Sequence, residues 1–144
     1  MRRVVAIRSA GAWNAASAAD RVVLDADDRQ RRRIVLQGER GTEFLLDLAK
    51  PAMLRSGDGL ELDDGALVAV AGRAERLLEI AAGDALDTVR LAWHLGNRHT
   101  DMQIAGETIR IRRDHVLEDM LRGLGARLTT LEAPFDPEPG VHGH

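Results

Sequence analysis

Five histidines, His94, His99, His115, His142 and His144, are the side chains of this chain best suited to hold a transition metal. Cysteine is absent, so a metal site must use nitrogen or oxygen, and disulfides, zinc ribbons and thiol nucleophiles are excluded. His94 and His99 stand five residues apart in the run His94-Leu95-Gly96-Asn97-Arg98-His99. On a helix that separation is a rotation of about 500°, which leaves the two imidazoles roughly 140° apart, unable to pinch one ion as an i, i+4 pair does. One chain therefore offers no ready chelate here. A two-fold dimer that set His99 beside its symmetry mate would supply two imidazoles from one sequence position. His142-Gly143-His144 could then fold over the ion and add one or two nitrogens, with water completing a six-coordinate shell. Neutral imidazole suits Ni²⁺, Cu²⁺ and Zn²⁺, and affinity order alone favours Cu²⁺.

Each histidine also has a plain reading. His99 can be an exposed residue after a helix end, and His94, beside Trp93, can serve packing as well as ligation. His115 falls in the first turn of a helix, where a surface position is ordinary, and the last two histidines can be a tail without function. Other chemistries lack parts. No G-x-x-x-x-G-K-[ST] phosphate loop, G-x-S-x-G elbow or H-E-x-x-H pair occurs, so no catalytic motif nominates an enzyme. Asp63-Asp64-Gly65 lacks the further oxygen ligands of a calcium loop and reads as a turn. The cluster Arg29-Gln30-Arg31-Arg32-Arg33 has no interleaved aromatics and sits in a chain of net charge −3, which points to a solvated strand edge or protein-docking patch and away from nucleic acid.

The elements that position these residues fall into two halves. The 144 residues, 44% apolar, suffice for one ordinary domain or two small ones. From Val4 to about Gly72 the sequence alternates through short β-like runs at Val4–Ile7, Val22–Asp25, Arg33–Gln37, Glu43–Leu48, Leu60–Leu62 and Leu67–Ala71. Gly38-Glu39-Arg40-Gly41 and Asp63-Asp64-Gly65 have hairpin-turn composition, and Lys50-Pro51 marks a stop. Beyond Gly72 the apolar period lengthens to about 3.6. Leu77–Ile80 reads as a strand and Asp84 as the N-cap of a helix whose Leu86, Val89 and Trp93 share the buried face. Met102–Ala105 and Thr108–Arg112 flank Gly106-Glu107 as a hairpin. Asp114 caps a second helix with a Leu117, Leu121, Leu124 stripe, Gly125 ends it, and Arg127–Leu131 is the last strand. The expectation is an α+β chain: a β-domain over 1–72, a ferredoxin-like βαββαβ domain over 73–132, and a flexible histidine-containing tail over 133–144, where three prolines and two glycines favour extended chain. No membrane-length apolar run or signal-peptide core occurs, so the cytoplasm is the expected compartment.

The run His94 to His99, followed by Gln103 and by Asp114-His115-Val116-Leu117-Glu118-Asp119-Met120-Leu121, resembles the signature of the urease accessory protein E family, both blocks in order and spacing. The resemblance covers essentially the whole chain, the first half by pattern more than by motif. It implies a homodimer with an N-terminal peptide-binding domain and a C-terminal metal-binding domain that carries Ni²⁺ at the subunit interface. It further implies delivery to the urease apoprotein and an assembly complex that includes a GTPase, while the net charge of −3 gives no electrostatic reason to expect a nucleic acid or membrane partner. By that similarity His99 is the shared interface ligand, and His94 and His115 fall where some relatives have secondary sites. Many relatives end in a long histidine-rich tail, whereas this sequence offers only His142 and His144, so delivery of one ion per dimer, with a second bound weakly, is expected in place of bulk storage. A scaffold or folding chaperone with incidental metal binding is the alternative.

Overall fold

The computed structural model describes residues 1–139 and divides between Arg73 and Ala74 into two units, each with its own sheet. In the first, β1 (Arg2–Arg8), β2 (Asp20–Leu24), β3 (Arg33–Gln37), β4 (Glu43–Asp47), β5 (Gly59–Leu62) and β6 (Leu67–Gly72) form one sheet in the order β2-β6-β5-β1-β4-β3. The β1–β4 and β2–β6 pairs are parallel and the remainder antiparallel. Alternation along these strands delivers Val22, Leu24, Leu36, Phe44, Leu46, Leu60, Leu62, Val68 and Val70 to one core, with Leu54 from a loop.

Three polar residues of this unit are buried, Asp20, Arg29 and Asp58, and the first two staple β2 to its neighbours. The Asp20 carboxylate accepts from the backbone N–H groups of Arg21, Arg40 and Thr42 at 2.7, 2.9 and 3.0 Å, tying β2 to the β3–β4 turn. Gly38 is required in that turn because a Cβ there would collide with the Asp20 carboxylate. Burial alone would raise the Asp20 pKa, but the Arg40 N–H, the Thr42 side chain and the N–H groups of Arg21 and Thr42 together outweigh it and hold the carboxyl well below the usual range. Arg29 closes α1 (Ala26–Arg29), a single turn capped by Asp25, and is buried. Its guanidinium donates to the carbonyls of Leu24 and Leu54 at 3.1 and 3.2 Å. The arginine cluster read from the sequence as a surface patch thus splits: Arg29 is a core clamp, and only Arg31, Arg32 and Arg33 are exposed.

The second unit contains β7 (Ala74–Ala81), α2 (Ala85–Asn97), β8 (Gln103–Ala105), β9 (Thr108–Arg112), α3 (His115–Gly123) and β10 (Arg127–Pro134). Its antiparallel sheet runs β10-β7-β9-β8. Leu78 pairs across from Ile111 and Ile80 from Ile109, and these four form one core with Leu91 and Leu95 of α2 and Leu121 of α3. Both helices therefore cover one face of the sheet. Asp84 and Asp114 cap them by accepting from the N–H groups of Asp87 and Leu117 at 2.8 and 3.0 Å, each cap being worth about 1 kcal/mol.

Three sequence expectations differ from this arrangement. Leu86, Val89 and Trp93 are not the buried face of α2: they are 57%, 64% and 63% exposed, while Leu91 and Leu95 face the core. The helix has two apolar stripes, and periodicity identifies stripes without saying which one meets the sheet. In α3, Leu121 is buried and Leu117 partly so, but Leu124 lies at the C-cap, where the helix has ended, and is exposed. At the other end of the unit, where extended tail was expected from Ala133, β10 continues to Pro134 and Phe135 is buried. The prolines fit because Pro134 ends an edge strand.

Candidate metal centre

His99 follows α2 in a conformation that L-residues seldom adopt. With φ at 54° it is the one non-glycine residue with positive φ among those described. Its N–H donates to the Gly96 carbonyl at 3.0 Å, and the Thr100 N–H donates to the Leu95 carbonyl at 3.1 Å. This is the paired hydrogen-bond pattern that ends a helix through a left-handed residue, a position that glycine ordinarily fills. The imidazole is thereby projected from a defined backbone turn, and it is exposed. Left-handed backbone costs roughly 1 kcal/mol or more in an L-residue.

The other described histidines have different settings. His94 is half-buried on α2, its ring edge-on to Trp93 with centroids 5.0 Å apart. It lines a cavity of about 230 Å³ with Asp87 and Arg90, but Arg90 holds Asp87 at 3.3 Å, which places a cation where a divalent ion would need a carboxylate. His115 begins α3 and is exposed at a cleft of about 600 Å³ shared with Glu75, Arg76, Arg112, Arg113 and Glu118. Both of that cleft's carboxylates are engaged, Glu75 with Arg112 and Glu118 with Arg113, each at 2.9 Å. Among the described residues no three histidine, aspartate or glutamate side chains converge on one point. His94, His99 and His115 are thus not brought together within one chain, and His142 and His144 lie outside the described residues.

Sequence reasoning did not anticipate the left-handed turn at His99, although a signal exists: α2 ends without a glycine after Asn97, so some other residue must take that position. Nor did it anticipate the contacts after β10. The Asp136 N–H donates to the Gln103 side-chain carbonyl at 3.0 Å, and the Glu138 N–H donates to the Met102 carbonyl at 2.7 Å. The Arg112 guanidinium lies 5.0 Å from the Phe135 ring centroid.

Comparison with known proteins agrees with both units. The family described as UreE urease accessory protein, N-terminal domain, matches residues 2–73, and its C-terminal domain counterpart matches residues 75–144. The chain belongs to the urease accessory protein E family. Within that family it is 59% identical over 130 residues to the urease accessory protein UreE of Bradyrhizobium sp. strain ORS 278, covering 90% of this chain and 61% of that protein. It is 53% identical over 142 residues to that of Rhodopseudomonas palustris strain BisB18, covering 99% of this chain and 67% of the relative, and 45% identical over 143 residues to that of Rhodobacter capsulatus, covering 99% and 88%. The chain thus spans less than two thirds of the length of the Bradyrhizobium relatives. These family members are named as accessory proteins of urease. Among the described residues no helix of this member is long and apolar enough to cross a membrane.

Proposed function

We propose that this chain is a nickel-binding metallochaperone that takes part in urease maturation, donating Ni²⁺ to the metallocentre and catalysing no reaction itself. The ion is held where two copies of His99 meet across a homodimer interface. The observation that carries this reading is the exposed imidazole of His99, set by a left-handed turn at the end of a helix whose outer stripe, Leu86, Val89 and Trp93, is apolar and exposed. A stripe of that kind suits burial against a second copy, and an isologous two-fold contact gives each His99 a symmetry mate. Imidazole donors fit Ni²⁺, with Zn²⁺ and Cu²⁺ as competitors. His142 and His144 complete the coordination in this reading. His94 and His115 are at most secondary ligands, since guanidinium groups occupy their surroundings. The second unit is then a ferredoxin-like domain, as its strand order and two helices on one face support, and the cytoplasm is its compartment.

Native mass spectrometry with and without Ni²⁺ tests this directly. The expected result is a dimer that gains one tightly bound ion and loses it in the His99→Ala variant. A variant that kept wild-type stoichiometry and affinity would remove the interface site.

A scaffold role of the first unit has its own support. β3 ends its sheet, and the bonds Leu48 N–H to Arg32 carbonyl and Gly38 N–H to Thr42 carbonyl fix the alternation. The backbone groups of Arg33, Val35 and Gln37 consequently point away from β4. With Val35 54% exposed, this edge suits an extended segment of the urease apoprotein or of its accessory GTPase, added as a further strand.

A further inference from the structure

The outward side of β3 is chemically uneven along its length. The N–H and carbonyl groups of Arg33, Val35 and Gln37 point away from β4, and among the described residues nothing hydrogen-bonds to them. Leu36 is in the core and Ile34 packs against it, so the side chains of Arg33, Val35 and Gln37 share the opposite face of the sheet. Exposed guanidiniums gather at one end of the strand, those of Arg31, Arg32 and Arg33. Their carboxylate partners are distant or shared: Arg31 stands 3.9 Å from Asp28, while Arg32 and Arg33 reach the same Asp47 at 4.0 and 3.4 Å. Elsewhere in the unit exposed arginines are paired tightly, Arg2 with Asp64 and Arg8 with Glu61 at 2.9 Å and Arg21 with Glu39 at 2.6 Å. At the far end of β3 the neutral Gln37 lies across from Glu43. The edge is therefore basic at Arg33 and not at Gln37.

We propose that the segment added at β3 is acidic, with a carboxylate side chain opposite Arg33, so that Arg33 determines which extended chain the edge accepts. This rests on the strand-edge reading above. Main-chain bonds hold any extended segment, and the cross-strand side chains choose among them. A residue opposite Arg33 on an added strand shares its face, with Cβ atoms about 5 Å apart. Arg33 meets Asp47 through Nη1 alone, which leaves its Nε and Nη2 hydrogens as a fork for a second carboxylate. Lysine or arginine at that place would be repelled. The neighbours of Ile34 and Leu36 fall on the other face, where apolar side chains fit, so the accepted segment alternates apolar with polar and carries its negative charge on the polar face. Charge of one sign on an open edge also deters indiscriminate pairing.

Fluorescence anisotropy of the full-length chain at low salt tests the preference with three synthetic peptides. One alternates valine with glutamate, the second has lysine in place of every glutamate, and the third has threonine there. The expected result is that the glutamate peptide binds about fivefold or more tighter than the lysine peptide, with threonine between them, and that the gap shrinks as salt is raised. Arg33→Glu should reverse the order. Arg33→Gln, which places no new charge beside Asp47, should narrow the gap, and Val35→Pro should weaken all three peptides alike. Equal affinity for the three, lost together in Val35→Pro, would leave the strand edge standing and overturn its acidic specificity. A glutamate preference untouched by both Arg33 substitutions would overturn the role of Arg33. If no peptide bound the wild type, the strand-edge reading would fail and the inference with it.

Discussion

At His99 the backbone and the side chain make opposite demands. The helix end favours glycine, and the imidazole is retained against that preference. Two substitutions separate the demands. His99→Gly relieves the left-handed backbone and should stabilise the chain by roughly 1 kcal/mol, raising its thermal midpoint, while His99→Ala keeps the strain and should not. Both should lose tight Ni²⁺ binding. A His99→Gly variant no more stable than His99→Ala would mean that the turn costs nothing and carries no functional signal. Asp20 is the reverse case, a polar residue whose whole effect is structural. Its folded-state pKa is depressed, so its stabilisation is present above the unfolded carboxylate pKa of about 3.9 and is lost as pH falls toward the lower folded value. Asp20→Asn should cost about 1–3 kcal/mol at neutral pH and flatten the acid limb of the stability curve below pH 4. An unchanged acid limb in chemical denaturation would show that the carboxylate charge is not what holds the turn.

At the scale of elements, α2 carries the argument because it is apolar on two sides. Leu91 and Leu95 are committed to the sheet, which leaves Leu86, Val89 and Trp93 available to a partner. Val89→Glu should therefore leave the monomer folded, since the residue is exposed, yet shift the proposed dimer toward monomer as measured by light scattering, with Ni²⁺ affinity falling in parallel. If the variant remained dimeric at micromolar concentration, the interface would have to lie elsewhere. The same helix shows how far the sequence could be read. Its N-cap at Asp84 and its period were legible because capping and periodicity are local. The choice between its two stripes was not, because that is decided by how the helix packs on β7 and β9 and not by anything within the helix. Strands followed the same rule: Arg33–Gln37 and Thr108–Arg112 were visible from alternation between turns. The extension of β10 to Pro134 was not, because proline composition argued locally for a stop while pairing with Ala74 is a tertiary contact. Of the candidate site, residue identity was legible and backbone geometry was not. A histidine in a left-handed turn looks in sequence like any histidine after a helix.

At the scale of the whole molecule, the proposed reading gives the two units different parts in a urease assembly: a histidine site on one and an open strand edge on the other. If both serve maturation, they should fail in distinguishable ways. Val35→Pro is a clean probe of the edge, because the Val35 N–H points away from β4 and its removal breaks no ladder bond. That variant should bind Ni²⁺ as the wild type does, yet activate urease poorly at any nickel concentration, since docking and not ion supply would limit it. His99→Ala should behave oppositely, with activation poor under limiting nickel and recovering as nickel is raised, because excess free ion bypasses a carrier but not a scaffold. The crossed pattern matters more than either loss alone. Should His99→Ala activate urease fully under limiting nickel while Val35→Pro fails, the chain acts through its strand edge, and the metal it binds is incidental.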